Sequence, residues 1–175
     1  MYRTILIAFA LATSLASAGA LAAPAAKPTD PQIAHIAYTA GLLDIEAAKQ
    51  ALDKSKTESV RTFAQQMVGD HTAVNDQALA LVKKLNVTPE DNATSKSLTS
   101  QAEANRQKFA GLSGAAFDKA YVDNEVAYHK TVNAALKDTL IPDAQNPELK
   151  TLLQSGLTLF EAHQQHAEEL AKQLQ

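Results

Sequence analysis

The sequence predicts an all-α fold, and three observations carry that prediction. Alanine and leucine dominate while aromatic residues make up only 5% of the chain, a composition that favours helix over strand. Apolar residues recur at three- and four-residue spacing over long stretches. Helix boundary signals separate those stretches: Asp30-Pro31, Thr88-Pro89 and Asn146-Pro147 each place a capping residue before a proline. At the first helical position a missing N–H costs nothing. Ser55-Lys56-Thr57-Glu58 reads as a capping box, and Gly111 and Gly114 bracket a break in which Ser113 can cap the next helix.

Five helices result, over 31–54, 57–85, 90–110, 115–139 and 147–174. The first carries Ile33, Ile36, Ala37, Ala40, Leu43, Ala47 and Ala51, with Asp44 on one shoulder of that stripe and Glu46 on the other. In the second, Val60, Phe63, Met67, Val74, Ala78, Leu81 and Leu85 form a stripe whose gap is filled by His71. The fourth reads Phe117, Tyr121, Val122, Glu125, Val126, His129, Val132 and Leu136. The fifth reads Leu149, Leu152, Leu153, Gly156, Leu159, Phe160, His163, Ala167 and Leu170.

The third helix is polar on most sides and offers only Leu98, Ala102 and Phe109 for burial. A helix of about 20 residues climbs roughly 30 Å, enough to return the polypeptide to the opposite end of the molecule. Two antiparallel helix pairs joined by such a crossover make a ferritin-like four-helix bundle, with the long helical crossover between helices two and four.

The start of the sequence reads differently. Met1–Arg3 is a short positive segment, Ile5–Leu15 is an almost unbroken apolar run, and Ala20-Leu21-Ala22 offers a cleavage site. Residues 1–22 therefore read as a secretory signal peptide, too short in its apolar run to span a bilayer. Residues 23–30 read as a flexible tail and 31–175 as one helical domain, whose length suits a single core. The expected location is the periplasm. With no cysteine in the sequence, an exported protein must hold together without disulfides.

Lys+Arg 16 against Asp+Glu 19 gives a formal charge of −3, and the basic residues are scattered. Nucleic acid is therefore not an expected partner. No second apolar segment is long enough for a transmembrane helix, and no strand pattern of a membrane barrel exists. Any envelope association is expected to be peripheral; no protein partner can be named.

Chemistry concentrates in the middle of the long helices. His71, Glu125, His129 and His163 interrupt apolar stripes at about one level, and Asp44, Glu46 and His166 widen the set. Glu125 and His129 are four apart and share a helix face; His163 and His166 are three apart. Imidazole and carboxylate together suit iron, zinc, manganese or copper, so the implied cofactor is a transition metal. The other reading is a buried hydrogen-bonded network without metal, since core histidines are more often that than ligands. Asp70 next to His71 is expected to face water, because adjacent helix residues point about 100° apart. Tyr121 and Tyr128 are expected to pack in or edge the core, and His35 to be exposed. Asn86-Val87-Thr88 and Asn92-Ala93-Thr94 match a glycosylation pattern but read as caps and loop polarity. No phosphate-binding glycine loop occurs, and no serine completes a nucleophile–base pair with Asp70-His71.

Val60–His71, which ends Met67-Val68-Gly69-Asp70-His71, and Leu112–Tyr121, with Ser113-Gly114 before Phe117-Asp118 and Tyr121, together with His129 and His163, resemble an exported bacterial family of unknown function. Its members are described as periplasmic or outer-membrane proteins and grouped with ferritin-like folds. The resemblance spans nearly all of 31–175 and implies that fold and an exported location. Asp44, three residues after Gly41, stands where the family usually has glutamate. Ferritin-like di-iron proteins carry Glu-x-x-His on two helices. This sequence has no Glu-x-x-His, only Glu125-x-x-x-His129, so a mononuclear site fits it better than a di-iron oxygen-activating centre. The expected role is metal storage, buffering or envelope stress protection rather than catalysis. The alternative is an envelope interaction module with a structural histidine network.

Overall fold

The computed structural model describes residues 27–174. The signal peptide predicted over 1–22 and residues 23–26 of the predicted 23–30 tail lie outside the described residues. Long helices run over Asp30–Lys54 (α1), Glu58–Lys84 (α2), Ala93–Ala110 (α3), Gly114–Ala135 (α4) and Pro147–Gln173 (α6). A π-helical turn, Leu136–Leu140, and a short helix, Ile141–Asp143 (α5), link α4 to α6. No strand occurs among the described residues, and no described helix is long and apolar enough to cross a membrane.

Local chemistry moves several predicted boundaries. Thr29, not Asp30, is the N-cap of α1; its N–H bonds to Gln32 Oε1 at 3.2 Å. Asp30 instead caps across the fold: its carboxylate accepts the backbone N–H groups of Gln145 and Asn146, each at 2.8 Å. Ser55 closes α1 and Thr57 caps α2, so the expected box at Ser55 does not form. Thr88-Pro89 starts no helix. The first turn of α3 is capped by Asn92, whose side chain accepts from Ser95 N–H at 3.0 Å while Ser95 Oγ accepts from Asn92 N–H at 3.2 Å. The fourth helix, expected to run to 139, widens into the π-turn, where Pro142 just beyond cannot supply its N–H.

Contacts at the helix ends give the directions. Glu90 N–H bonds to Pro31 C=O, and at the far end Lys54 Nζ bonds to Ala110 C=O at 2.8 Å. So α3 lies along α1 in the same direction and returns the polypeptide, as its polar sequence predicted. It buries only Ser95 and Phe109. Thr57 Oγ1 donates to the buried Asp118, tying the starts of α2 and α4 together. Helices α2 and α4 therefore run opposite to α1 and α6. The closest pairings are α1 with α2 and α4 with α6, with α2 also packed on α6.

This arrangement divides the interior into two apolar clusters. One holds Val60, Phe63, Met67, Phe117, Tyr121, Val122 and Leu170 near the α1–α2 turn. The other holds Ile33, Ile36, Leu136, Leu140, Leu149, Leu153 and Phe160 at the opposite end. Between them the four long stripes carry Asp44, His71, Glu125, His129 and His163, all buried.

Candidate metal centre

Each polar residue of this layer takes the place of an apolar one in its helix stripe. Burial is nearly complete: Asp44, Glu125 and His129 are each 1% exposed and His163 0%. Donor atoms of His71, His129 and His163 lie within 4.8 Å of one another, and so do donor atoms of Asp44, Glu125 and His129. The two triads share His129 and together draw on α1, α2, α4 and α6.

The finer geometry matches shared ligation. Asp44 Oδ2 lies 3.4 Å from His71 Nε2 and 3.6 Å from His129 Nε2. Two ligands of one tetrahedral ion, each about 2.1 Å from it, stand about 3.4 Å apart. His129 Nδ1 is held by the backbone carbonyl of Glu125 at 3.0 Å. A carbonyl only accepts, so Nδ1 carries the proton and Nε2 presents its lone pair to Asp44. His163 is oriented the same way: its Nε2 bonds Asp70 Oδ2 at 2.9 Å, which leaves Nδ1 as the lone-pair nitrogen. A carboxylate behind a ligand imidazole is a common outer-shell device at metal sites.

Hydrogen-bond accounting points the same way. Both oxygens of Asp44 and of Glu125, both ring nitrogens of His71, His129 Nε2 and His163 Nδ1 are buried without a hydrogen-bond partner. Buried polar groups are rarely left so, because each costs about 1–3 kcal/mol. Burial raises Asp44 from its ordinary 3.8 to about 7. It also drives Glu125 well above its usual range, helped by the neighbouring Asp44 charge. Burial lowers His129 to about 4, and lowers His71 well below 6.5, where His129 and His163 add like charge. His163 is lowered by burial too, with Asp70 opposing. Imidazoles kept neutral are ready to coordinate a cation, and the cation in turn would hold the carboxylates ionised.

Supporting residues fix the frame. Tyr128 Oη donates to Ala40 C=O at 2.8 Å. Asn133, one turn past His129, donates to Phe160 C=O and to Gln164 Oε1. Phe160 stacks on His71 with ring centroids 4.5 Å apart. A cavity of about 140 Å³ between α1, α3 and α4 ends on Asp44, Glu125 and Tyr128 and is flanked by Gln101, Asn105 and Arg106. It reaches the centre from its carboxylate side.

Of the sequence candidates, the structure brings together His71, Glu125, His129, His163 and Asp44, and it leaves out two. Glu46 is exposed and pairs with Arg106, because it sits on the α1 face turned toward α3. His166 bonds Gln66 Oε1 at 3.1 Å and packs on Phe63, one turn above the layer. Asp70, expected to face water, instead reaches His163, being on the edge of α2 that borders α6. His35, expected to be exposed, is half-buried with an unpartnered Nδ1. Tyr121 is buried with an unpartnered hydroxyl, and Tyr128 is half-buried at the edge of the core. Asn75 and Asn133 are absent from the sequence candidates, although each interrupts an apolar stripe in the same way as the histidines.

Residues 15–170 match the family described as domain of unknown function DUF4142. In structure, the protein is similar to a Streptomyces coelicolor DUF305 protein, which is described as a candidate secreted protein. The TM-score is 0.70 at 12% identity, covering 82% of this chain and 91% of that one. That likeness is one of fold. No curated protein matches the sequence. The chain belongs to the DUF4142 family.

Proposed function

We propose that this protein is an exported, ferritin-like four-helix bundle that binds one transition-metal ion in its central polar layer. His71 Nε2, His129 Nε2, His163 Nδ1 and Asp44 Oδ2 are the ligands, and Glu125 is the adjoining carboxyl. The observation that carries this reading is the set of unpartnered buried donors, grouped in two triads that share His129, with Asp44 Oδ2 at ligand-like distances from His71 and His129. A nitrogen-rich set with one or two carboxylates suits iron, zinc, copper or manganese over magnesium or calcium. The lack of Glu-x-x-His argues for one ion rather than a di-iron pair. Export to the periplasm is supported by the leader-like N-terminus and by the description of the DUF305 protein. A role in metal storage, buffering or envelope stress protection suits a buried site with a cavity opening on its carboxylate side.

The test is elemental analysis of protein purified without a histidine tag, before and after loading with each metal. About one ion per protein molecule and a raised melting temperature are expected, since a ligand at 100 times its Kd stabilises by about 2.7 kcal/mol. Less than about a tenth of an ion per molecule, with no thermal shift, overturns the reading in favour of a metal-free polar network.

A further inference from the structure

We propose that the apolar end of the molecule contains a second site, for a small uncharged apolar molecule of about benzene size. A cavity of about 150 Å³ lies beyond Phe160, on the side away from His163. Its space comes from small residues: Ala34 and Ala37 of α1, Ala78 of α2, Ala135 of α4 and Gly156 of α6 all line it. The larger walls are leucines, including Leu136 and Leu140 of the π-helical turn.

Two physical facts set the ligand class. Protein interiors carry few voids larger than a water molecule, so an apolar cleft of this volume reaching between several helices is unusual. Water would need two to four polar partners to fill it. The inner wall offers one polar side chain, Asn75, whose amide nitrogen already donates to Tyr38 C=O. The other polar linings, Thr94 and Thr131, are exposed at the mouth. Apolar cavities of about 150 Å³ stay dry and take up benzene or xenon. An occupant would rest one aromatic ring away from His71, because the Phe160 ring lines the cavity and stacks on that histidine. The site does not depend on whether the polar layer holds a metal.

The experiment is a two-dimensional amide NMR titration of the protein with dissolved benzene, repeated under xenon pressure. Saturable shifts clustered at Ala37, Val74, Ala78 and Leu136 are expected, with a rise in melting temperature. Ala78→Leu, which fills the void, should keep the fold and weaken benzene binding at least tenfold. Should Ala78→Leu fail to fold, Ala135→Val provides the same comparison. The absence of saturable shifts in the unmodified protein overturns the proposal. So do shifts that persist undiminished in the folded filling variant, or ordered water in the cavity detected by water–amide cross-relaxation.

Discussion

His129 donates its Nδ1 proton to the backbone carbonyl of Glu125, one turn earlier on the same helix, at 3.0 Å. That single bond decides which nitrogen faces the centre. It leaves Nε2 with a lone pair 3.6 Å from Asp44 Oδ2, an arrangement that is unfavourable for two bare acceptors. A proton on Asp44 or a cation between the two atoms relieves it. The raised Asp44 describes the first state and the ligand-like spacing suits the second.

Asp70→Asn tests the outer support of the centre. Asp70 holds His163 Nε2 at 2.9 Å from a partly exposed position, so its loss should not disturb the core. Metal affinity should fall about 10- to 100-fold, as for other outer-shell partners, while the apo melting temperature changes by little. Competition titration against a chromophoric chelator measures it. Unchanged affinity would separate Asp70 from the metal chemistry.

Stability of the metal-free protein should pass through a maximum near pH 6.5. Asp44 and Glu125 have raised folded pKa values, so their contribution is full below the ordinary carboxyl range and is lost as pH climbs, for Asp44 through about 7. His71, His129 and His163 have lowered values, so theirs is full above 6.5 and is lost as pH falls, for His129 toward about 4. Just below 6.5 three histidines outweigh two carboxyls, so stability rises with pH there. Above it only the carboxyls act, with the opposite sign. Urea unfolding from pH 4.5 to 8 reads the curve, and Asp44→Asn with Glu125→Gln should flatten its alkaline limb. Metal should reverse that limb, because coordination releases the carboxyl protons.

Gly41→Ala should destabilise the fold through one neighbour. A Cβ at Gly41 would fall 2.4 Å from Asn75 Oδ1, and Asn75 is tied by its amide to Tyr38 C=O at 3.3 Å. Overpacking of this kind costs about 1–3 kcal/mol. Combining it with Asn75→Ala should recover part of the loss. A double-mutant cycle by thermal denaturation checks the coupling, and strictly additive effects would refute the contact.

The helical class, the number of long helices and the polar crossover were legible in the sequence because they rest on local physics. Apolar period sets each helix, and glycine, proline and capping side chains end it. Expectation and structure part where a cap serves something other than its own helix. Asp30 binds the distant Gln145–Asn146 turn, and Ser55 closes one helix rather than opening the next.

By itself the sequence determined that histidines and carboxylates interrupt apolar stripes at one level, since burying them there is a local choice of residue. Only the tertiary structure decided which of them meet. Asp44 and Glu46 lie two apart on α1 and point to different neighbours, so the rotation of α1 against α3 sends Glu46 to Arg106 and Asp44 to His71. The same rotation on α2 lets Asp70 reach His163. Side-chain direction turns about 100° per residue, and the packing of four helices, not their patterning, fixes where each direction leads.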